Sequence, residues 1–164
     1  MDVVLAAAVW LHSLATVVLL GYYAILALVV VPVLRSAVNG PAIGRVIPAI
    51  ERRALPLVIA ATVIFLVTGL YLMLGDGRFS GFGHFFGSTW STLIVIKHVV
   101  VVALVGVGVY LDLLVMPAIA GPVDEAARAA AVARLARSAT ALVVLGAIVL
   151  LMTAGAQALG RAAP

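Results

Sequence analysis

Four long apolar segments constrain the fold of this chain more than any other feature of its sequence. They cover about residues 3–34, 55–74, 90–119 and 135–159, and each is long enough to cross a bilayer as a helix. They are longer than the strands of a membrane barrel, and they do not alternate between apolar and polar residues as such strands do. We therefore predict an all-α fold, an integral membrane four-helix bundle that forms a single transmembrane domain over residues 1–164.

The composition supports a membrane protein and excludes several kinds of chemistry. Hydrophobic residues make up 66% of the chain and the mean hydropathy is +1.33, so the lipid bilayer is the first expected partner. We expect the cytoplasmic (inner) membrane of a bacterium. The chain contains no cysteine, which excludes disulfides, thiolate metal sites and cysteine nucleophiles. The net charge of +4 is too small to indicate a nucleic acid partner.

The placement of basic residues predicts the orientation in the membrane. The two loops that follow segments 1 and 3 are rich in arginine. The opposite side of the membrane carries mainly Arg78 and Arg161. Arginine-rich short loops favour the cytoplasm, so both termini and the loop GDGRFSGFGHFFGSTW are expected outside. Asp124 and Glu125 are typical of the first turn of a helix, which indicates that the fourth helix begins before its apolar segment. The cytoplasmic arginines are Arg35, Arg45, Arg52, Arg53, Arg128, Arg134 and Arg137.

The sequence contains a weak internal repeat. WLHSLATVVLLGYYAILALVVVP in segment 1 and VIKHVVVVALVGVGVYLDLLVMP in segment 3 share a histidine, a glycine, a tyrosine and a proline at nearly matching offsets. Segments 2 and 4 match more loosely, since each has a basic start and a threonine followed by a glycine near its end. This pattern favours a tandem two-helix repeat with both halves in the same orientation.

His12 and His98 are the polar residues that an apolar bundle least readily explains. At 1.5 Å per residue, both lie roughly 12 to 14 Å below the outer ends of their helices. A buried imidazole needs a partner for each ring nitrogen. Inward-pointing histidines of a four-helix bundle can bind haem iron from both sides, so we predict His12 and His98 as metal ligands of haem b. The alternative is that each histidine only hydrogen-bonds a neighbouring helix.

Small and basic residues near the same depth are compatible with a porphyrin. Gly69 and Gly155 approach the outer side and would admit the edge of the ring, and Arg78 and Arg161 would meet its propionates. We therefore include Gly69, Gly155 and Arg78 among the predicted cofactor-binding residues. The alternative for the two glycines is close packing of helices, where small residues are common.

Three further polar residues have two interpretations each, and one aromatic residue has a single interpretation. Lys97 either anchors its span by extending to the interface, or binds a propionate or, when deprotonated, the metal. Asp112 lies on the same helical face as His98 and either continues a proton path or pairs with a cytoplasmic arginine. His84 lies in a glycine-rich loop, where it is either solvated or the first residue to capture a metal. Trp90 is interpreted as an interfacial aromatic.

Several short motifs resemble a known family. WLH in segment 1, ERR before segment 2, TGLYLML at its end, and a tryptophan followed by IKH in segment 3 resemble the copper-resistance protein D type of membrane domain. The layout is also similar to the HemJ-type membrane protoporphyrinogen oxidases, four-helix proteins associated with haem b. In that group a first-span histidine and a third-span lysine are the functional pair, so the resemblance implies His12 and Lys97, with His98 as an addition or as the second ligand.

Three functions stay open after the sequence has been considered. The first is a b-type haem protein, a membrane oxidoreductase that transfers electrons near the outer leaflet, with a quinone or a redox protein as partner. The second is a copper-binding or copper-transport domain in which His84 captures the ion and His12 and His98 pass it inward. The third is a non-catalytic membrane subunit whose histidines only pack. No catalytic residue is assigned, and assembly into a homo-oligomer also stays open.

Overall fold

The fold is all-helical, which confirms the predicted class. A computed structural model describes residues 2–36, 43–79, 81–84, 86–121 and 124–162, and these residues form no strand. Two π-helical turns, Leu26–Val30 and Leu111–Val115, join α1 to α2 and α4 to α5, and a short 3₁₀ turn covers Phe82–His84. The helices are α1 Val3–Ile25, α2 Val31–Ser36, α3 Ile43–Leu74, α4 Thr89–Tyr110, α5 Met116–Ala120 and α6 Glu125–Ala162.

Within the described residues, four helical stretches are long and apolar enough to cross a membrane, as the four apolar segments predict. They are span 1 Val3–Ser36, span 2 Ile47–Leu74, span 3 Thr89–Ala120 and span 4 Glu125–Leu159. Helices α3 and α6 begin well before their apolar segments, because the alanine- and arginine-rich residues that precede those segments also favour helix. At the start of α6 the carboxylate of Asp124 accepts the backbone N–H of Ala127 at 2.7 Å, as expected for a helix cap.

Spans 1 and 3 share a local distortion of the backbone. In each span a five-residue π-helical turn ends just before a proline, Pro32 in span 1 and Pro117 in span 3. Proline has no N–H to donate and its ring collides with the carbonyl four residues earlier, so a widened turn at this point relieves the collision. The separation in sequence between the two π-helical turns equals the separation between the two prolines. Spans 1 and 3 therefore have matching backbone features at matching positions, as the predicted repeat implies.

The tightly packed core lies in the arginine-rich half of the bundle. Its fully buried side chains come from spans 1 to 4 and include both π-helical turns. Gly108 permits close approach there, because a Cβ at this position would lie 2.8 Å from the hydroxyl oxygen of Tyr23. Apolar side chains such as Val17 and Leu151 are exposed on the outside of the bundle, where lipid would surround them. The largest fully buried side chains are Leu26, Ile47, Leu111, Met116, Ile119, Leu135 and Leu142.

We predict that His84 lies outside the cell and Glu125 inside, because the arginine-rich loops favour the cytoplasm. The chain has no cysteine, so His84→Cys and Glu125→Cys each provide a single labelling site, and both positions are exposed. A membrane-impermeant maleimide added to intact cells should modify the first variant, and the second only after permeabilisation. The opposite labelling pattern would overturn the orientation.

Candidate functional site

The half of the bundle opposite to the packed core contains a cavity of about 520 Å³, which we call the central cavity. All four spans and the loop between spans 2 and 3 contribute to its lining. Gly155 is absent from the described lining, and a Cβ there would lie 3.6 Å from Leu93, so this glycine faces a packed side chain. The fold brings together the other five predicted cofactor-binding residues, His12, Gly69, Arg78, Lys97 and His98.

His12 is held by span 2 through several contacts. Its Nδ1 lies 3.1 Å from the carbonyl oxygen of Phe65 and 3.0 Å from Oγ1 of Thr68. Its ring stacks on the ring of Phe65, with 4.6 Å between centroids and 18° between planes. Gly69 makes room for it, because a Cβ at that position would lie 3.0 Å from Cε1 of His12. The position of the imidazole is therefore fixed from one side by contacts with little more than one turn of span 2, residues 65–69.

These contacts determine which nitrogen of His12 carries the proton. The Phe65 carbonyl can only accept a hydrogen bond, so Nδ1 is the donor. The Thr68 hydroxyl donates to the carbonyl of Ile64, which leaves its oxygen free to accept from Nδ1 as well. In the neutral ring the lone pair is then on Nε2. Bonding of one ring nitrogen to a carbonyl is the usual way in which a protein orients a histidine for metal binding.

His98 has the same chemical form. Its Nδ1 lies 2.7 Å from the carbonyl oxygen of Ile94, one turn earlier in the same helix, and donates to it. Neutral His98 therefore also carries its lone pair on Nε2. Both rings line the central cavity, so two imidazoles with bonded Nδ1 atoms share one cavity.

Lys97 also lines the central cavity and is half-buried. Its ammonium group forms no hydrogen bond or ion pair with any residue that the structure describes. The offset that relates Leu26 to Leu111 equates Lys97, and not His98, with His12. The repeat thus places His98 one position, or about 100° around the helix, away from the equivalent of His12.

Arg78 lines the cavity from the loop after span 2. Its Nε and Nη2 donate to the two carboxylate oxygens of Asp76 at 2.9 and 2.7 Å, and its guanidinium lies 4.8 Å from the ring centroid of Trp90. Hydrogen bonds from Arg78 lower the pKa of Asp76, so this carboxylate stays ionised and paired. Trp90, in the first turn of span 3, is buried beneath Arg78 and lines the cavity; its interpretation as an interfacial aromatic stays a prediction.

A second cavity of about 380 Å³ lies next to the central cavity, and we call it the outer cavity. The first turns of span 3, the end of span 2 and the loop between them form it. His84, which is exposed in the 3₁₀ turn, lines the outer cavity only. Met73 and His98 line both cavities.

Two other sequence predictions concern residues outside this site. Asp112 belongs to the second π-helical turn, in the packed half, and is not among the described residues that line the central cavity. The side chain of Arg161 lies outside the described part of the chain. No group of three or more His, Asp or Glu side chains comes together as a metal site within the described ranges.

The sequence did not single out the residues that orient His12 or the residue that connects the two cavities. Thr68 and Phe65 hold His12, and Met73 connects the two cavities. One signal was available, because Thr68 directly precedes Gly69 and a similar threonine, Thr153, occurs near the end of segment 4. Thr153 also lines the central cavity and donates to the carbonyl of Val149.

Fold and site together define a class of protein, a four-span helical membrane protein with an imidazole-lined cavity toward one end of the bundle. The model of the family described as copper resistance protein D matches residues 48–156, more than half of the chain. The chain belongs to this family. Comparisons with curated proteins and with solved structures return no significant match.

Proposed function

We propose that this protein handles copper at the membrane and binds Cu(I) in the central cavity through Nε2 of His12 and Nε2 of His98. One observation carries the proposal: both rings donate Nδ1–H to a backbone carbonyl, and both line the same cavity. A neutral imidazole nitrogen is a common copper ligand. Membership of the copper resistance protein D family supports the same metal.

The composition of the lining favours Cu(I) over harder ions. Mg²⁺, Ca²⁺ and Mn²⁺ prefer carboxylate and carbonyl oxygen, whereas Cu(I) accepts imidazole and thioether ligands. The carboxylate of Asp76 is already bonded to Arg78 on both oxygens. Met73 adds a thioether to the lining. Two imidazoles satisfy Cu(I) without further anions, and a monovalent ion costs less to place in an apolar bundle than a divalent one.

Haem b is a second candidate, which the cationic side chains of the lining favour. Lys97 and Arg78 line the cavity, and both are suited to an anionic group such as a propionate. His12 and His98 would hold the iron through Nε2, and the haem would supply one-electron chemistry. A quinone or a redox protein in the inner membrane of a bacterium would then exchange the electrons.

Metal content and colour of the purified protein separate these functions. Protein purified in detergent and loaded with Cu(I) under reducing conditions should bind one copper per chain and show no Soret band. A Soret band, with sharp α and β bands after reduction, would show that the bound cofactor is haem and not copper. If neither copper nor haem binds, the histidines only pack and hydrogen-bond within the bundle, as the third function requires.

A further inference from the structure

The two cavities share part of their walls. Four residues line both of them: Met73, Trp90, Ile94 and His98. Only Met73 and His98 in this group carry an atom that binds a soft metal ion, a thioether sulfur and an imidazole nitrogen. Met73 and His98 are therefore soft ligands that belong to the wall between the two cavities.

The remaining histidines lie on opposite sides of this boundary. His84 lines the outer cavity and not the described part of the central one, whereas His12 lines the central cavity and not the described part of the outer one. Soft ligands are thus ordered from an exposed loop to the centre of the bundle, with His84 first, Met73 and His98 next, and His12 last.

We propose that the outer cavity is a second Cu(I) site and the first step of a relay into the central cavity. The proposal rests on the function proposed above. His84 takes up the ion, Met73 and His98 receive it, and His12 joins His98 to bind it in the central cavity. At each transfer one bond to the new ligand forms as one bond to the previous ligand breaks. The ion stays Cu(I), and no electron or proton is transferred.

The physical properties of the shared ligands suit transfer. Methionine has three rotatable bonds and a polarisable sulfur, so Met73 can follow an ion across the boundary. The imidazole of His98 is oriented by its 2.7 Å bond to Ile94 while its Nε2 stays free. The rest of the outer lining is mainly apolar and aromatic, including Phe79 and Trp90. Such a lining disfavours hydrated ions and favours an ion that readily exchanges water for sulfur and nitrogen.

Silver titration followed by NMR tests the relay in the full-length protein in detergent. Ag(I) is a redox-inert probe for Cu(I), and the chain has only three histidines and four methionines to assign. We expect Ag(I) to shift the imidazole nitrogens of His84 and His98 and the ε-methyl group of Met73. Met152 provides the matched control, since this half-buried methionine of span 4 is not in the described lining of either cavity.

The His12→Ala variant separates the outer site from the central one. The shifts of His84, His98 and Met73 should persist in this variant with one Ag(I) per chain. In the otherwise unchanged protein, Met73→Leu should slow the arrival of Ag(I) at His12, because leucine has a similar volume and no sulfur, and Met152→Leu should not slow it.

Failure of the relay can be distinguished from failure of the proposed function. Shifts at His12 and His98 with none at His84 or Met73 would overturn the relay and leave the central Cu(I) site intact. An absence of shifts at all three histidines would overturn both. Equal loading rates in Met73→Leu and Met152→Leu would also overturn the relay.

Discussion

Replacing His12 with alanine is expected to lower the affinity of the protein for Cu(I) by more than about 100-fold, beyond the loss typical of a group that only supports a ligand. The variant removes one of the two available Nε2 atoms of the central cavity. His98→Ala should have an effect of similar size, because it removes the other. Competition with a coloured Cu(I) chelator in detergent measures these affinities.

His84→Ala is the control for the loss of a histidine, since His84 does not belong to the described central lining. Its equilibrium affinity at the central site should equal that of the unaltered protein. All variants should retain the helical circular dichroism spectrum, which separates loss of a ligand from loss of the fold. Unchanged Cu(I) affinity in His12→Ala would contradict the central site.

Thr68→Val is expected to weaken Cu(I) binding by roughly 10-fold, the lower end of the range for groups that orient a metal ligand. Valine preserves the shape of the side chain but removes the oxygen that lies 3.0 Å from Nδ1 of His12. The Phe65 carbonyl still accepts the Nδ1 proton, so the correct tautomer survives with a less restricted ring. Affinity by chelator competition and the Nδ1 proton resonance of His12 measure the two effects.

Thr62, six residues earlier in the same helix, offers a matched control. Its hydroxyl donates to the carbonyl four residues back, as that of Thr68 does, but it forms no bond to a histidine. Thr62→Val should therefore leave Cu(I) affinity unchanged, and Thr68→Ser should restore most of what Thr68→Val loses. Equal affinities of the two valine variants would show that Thr68 does not position His12.

The two halves of the bundle are packed differently. The arginine-rich half contains the large buried cluster around Leu111 and Met116, whereas the other half contains two cavities and the three histidines. A closely packed core resists deformation and fixes the relative positions of the helices. The packed half can therefore keep the proposed ligands of the other half in position, although the cavities between those ligands are not filled with side chains.

The internal repeat explains why the two histidines proposed as ligands are not equivalent. The π-helical turns and Pro32 and Pro117 relate spans 1 and 3 by one offset, and this offset equates His12 with Lys97. The resemblance to membrane oxidases implies the same two residues as a pair. In this alignment of the two spans, His98 does not correspond to His12. Its Nδ1 bonds within its own helix, whereas Nδ1 of His12 bonds to span 2.

The number and type of the secondary structure elements follow from the sequence, because a bilayer restricts the choice. Backbone polar groups in hydrocarbon must be paired within the chain, so an apolar segment of twenty or more residues forms a helix regardless of its detailed composition. The cap at Asp124 follows from equally local chemistry. Helix bounds outside the lipid were less predictable, since α3 begins at Ile43 and continues through Pro48.

The sequence by itself determined the four helices and selected His12, Lys97 and His98, because charged and polar side chains are costly in hydrocarbon and stand out in so apolar a chain. Only the tertiary structure decided that Thr68 and Phe65 orient His12, that Gly69 faces the ring while Gly155 faces Leu93, and that Trp90 is buried. These contacts depend on the rotation of each helix about its axis. In uniformly apolar spans the hydrophobic pattern does not encode that rotation, and the packing of side chains between helices sets it.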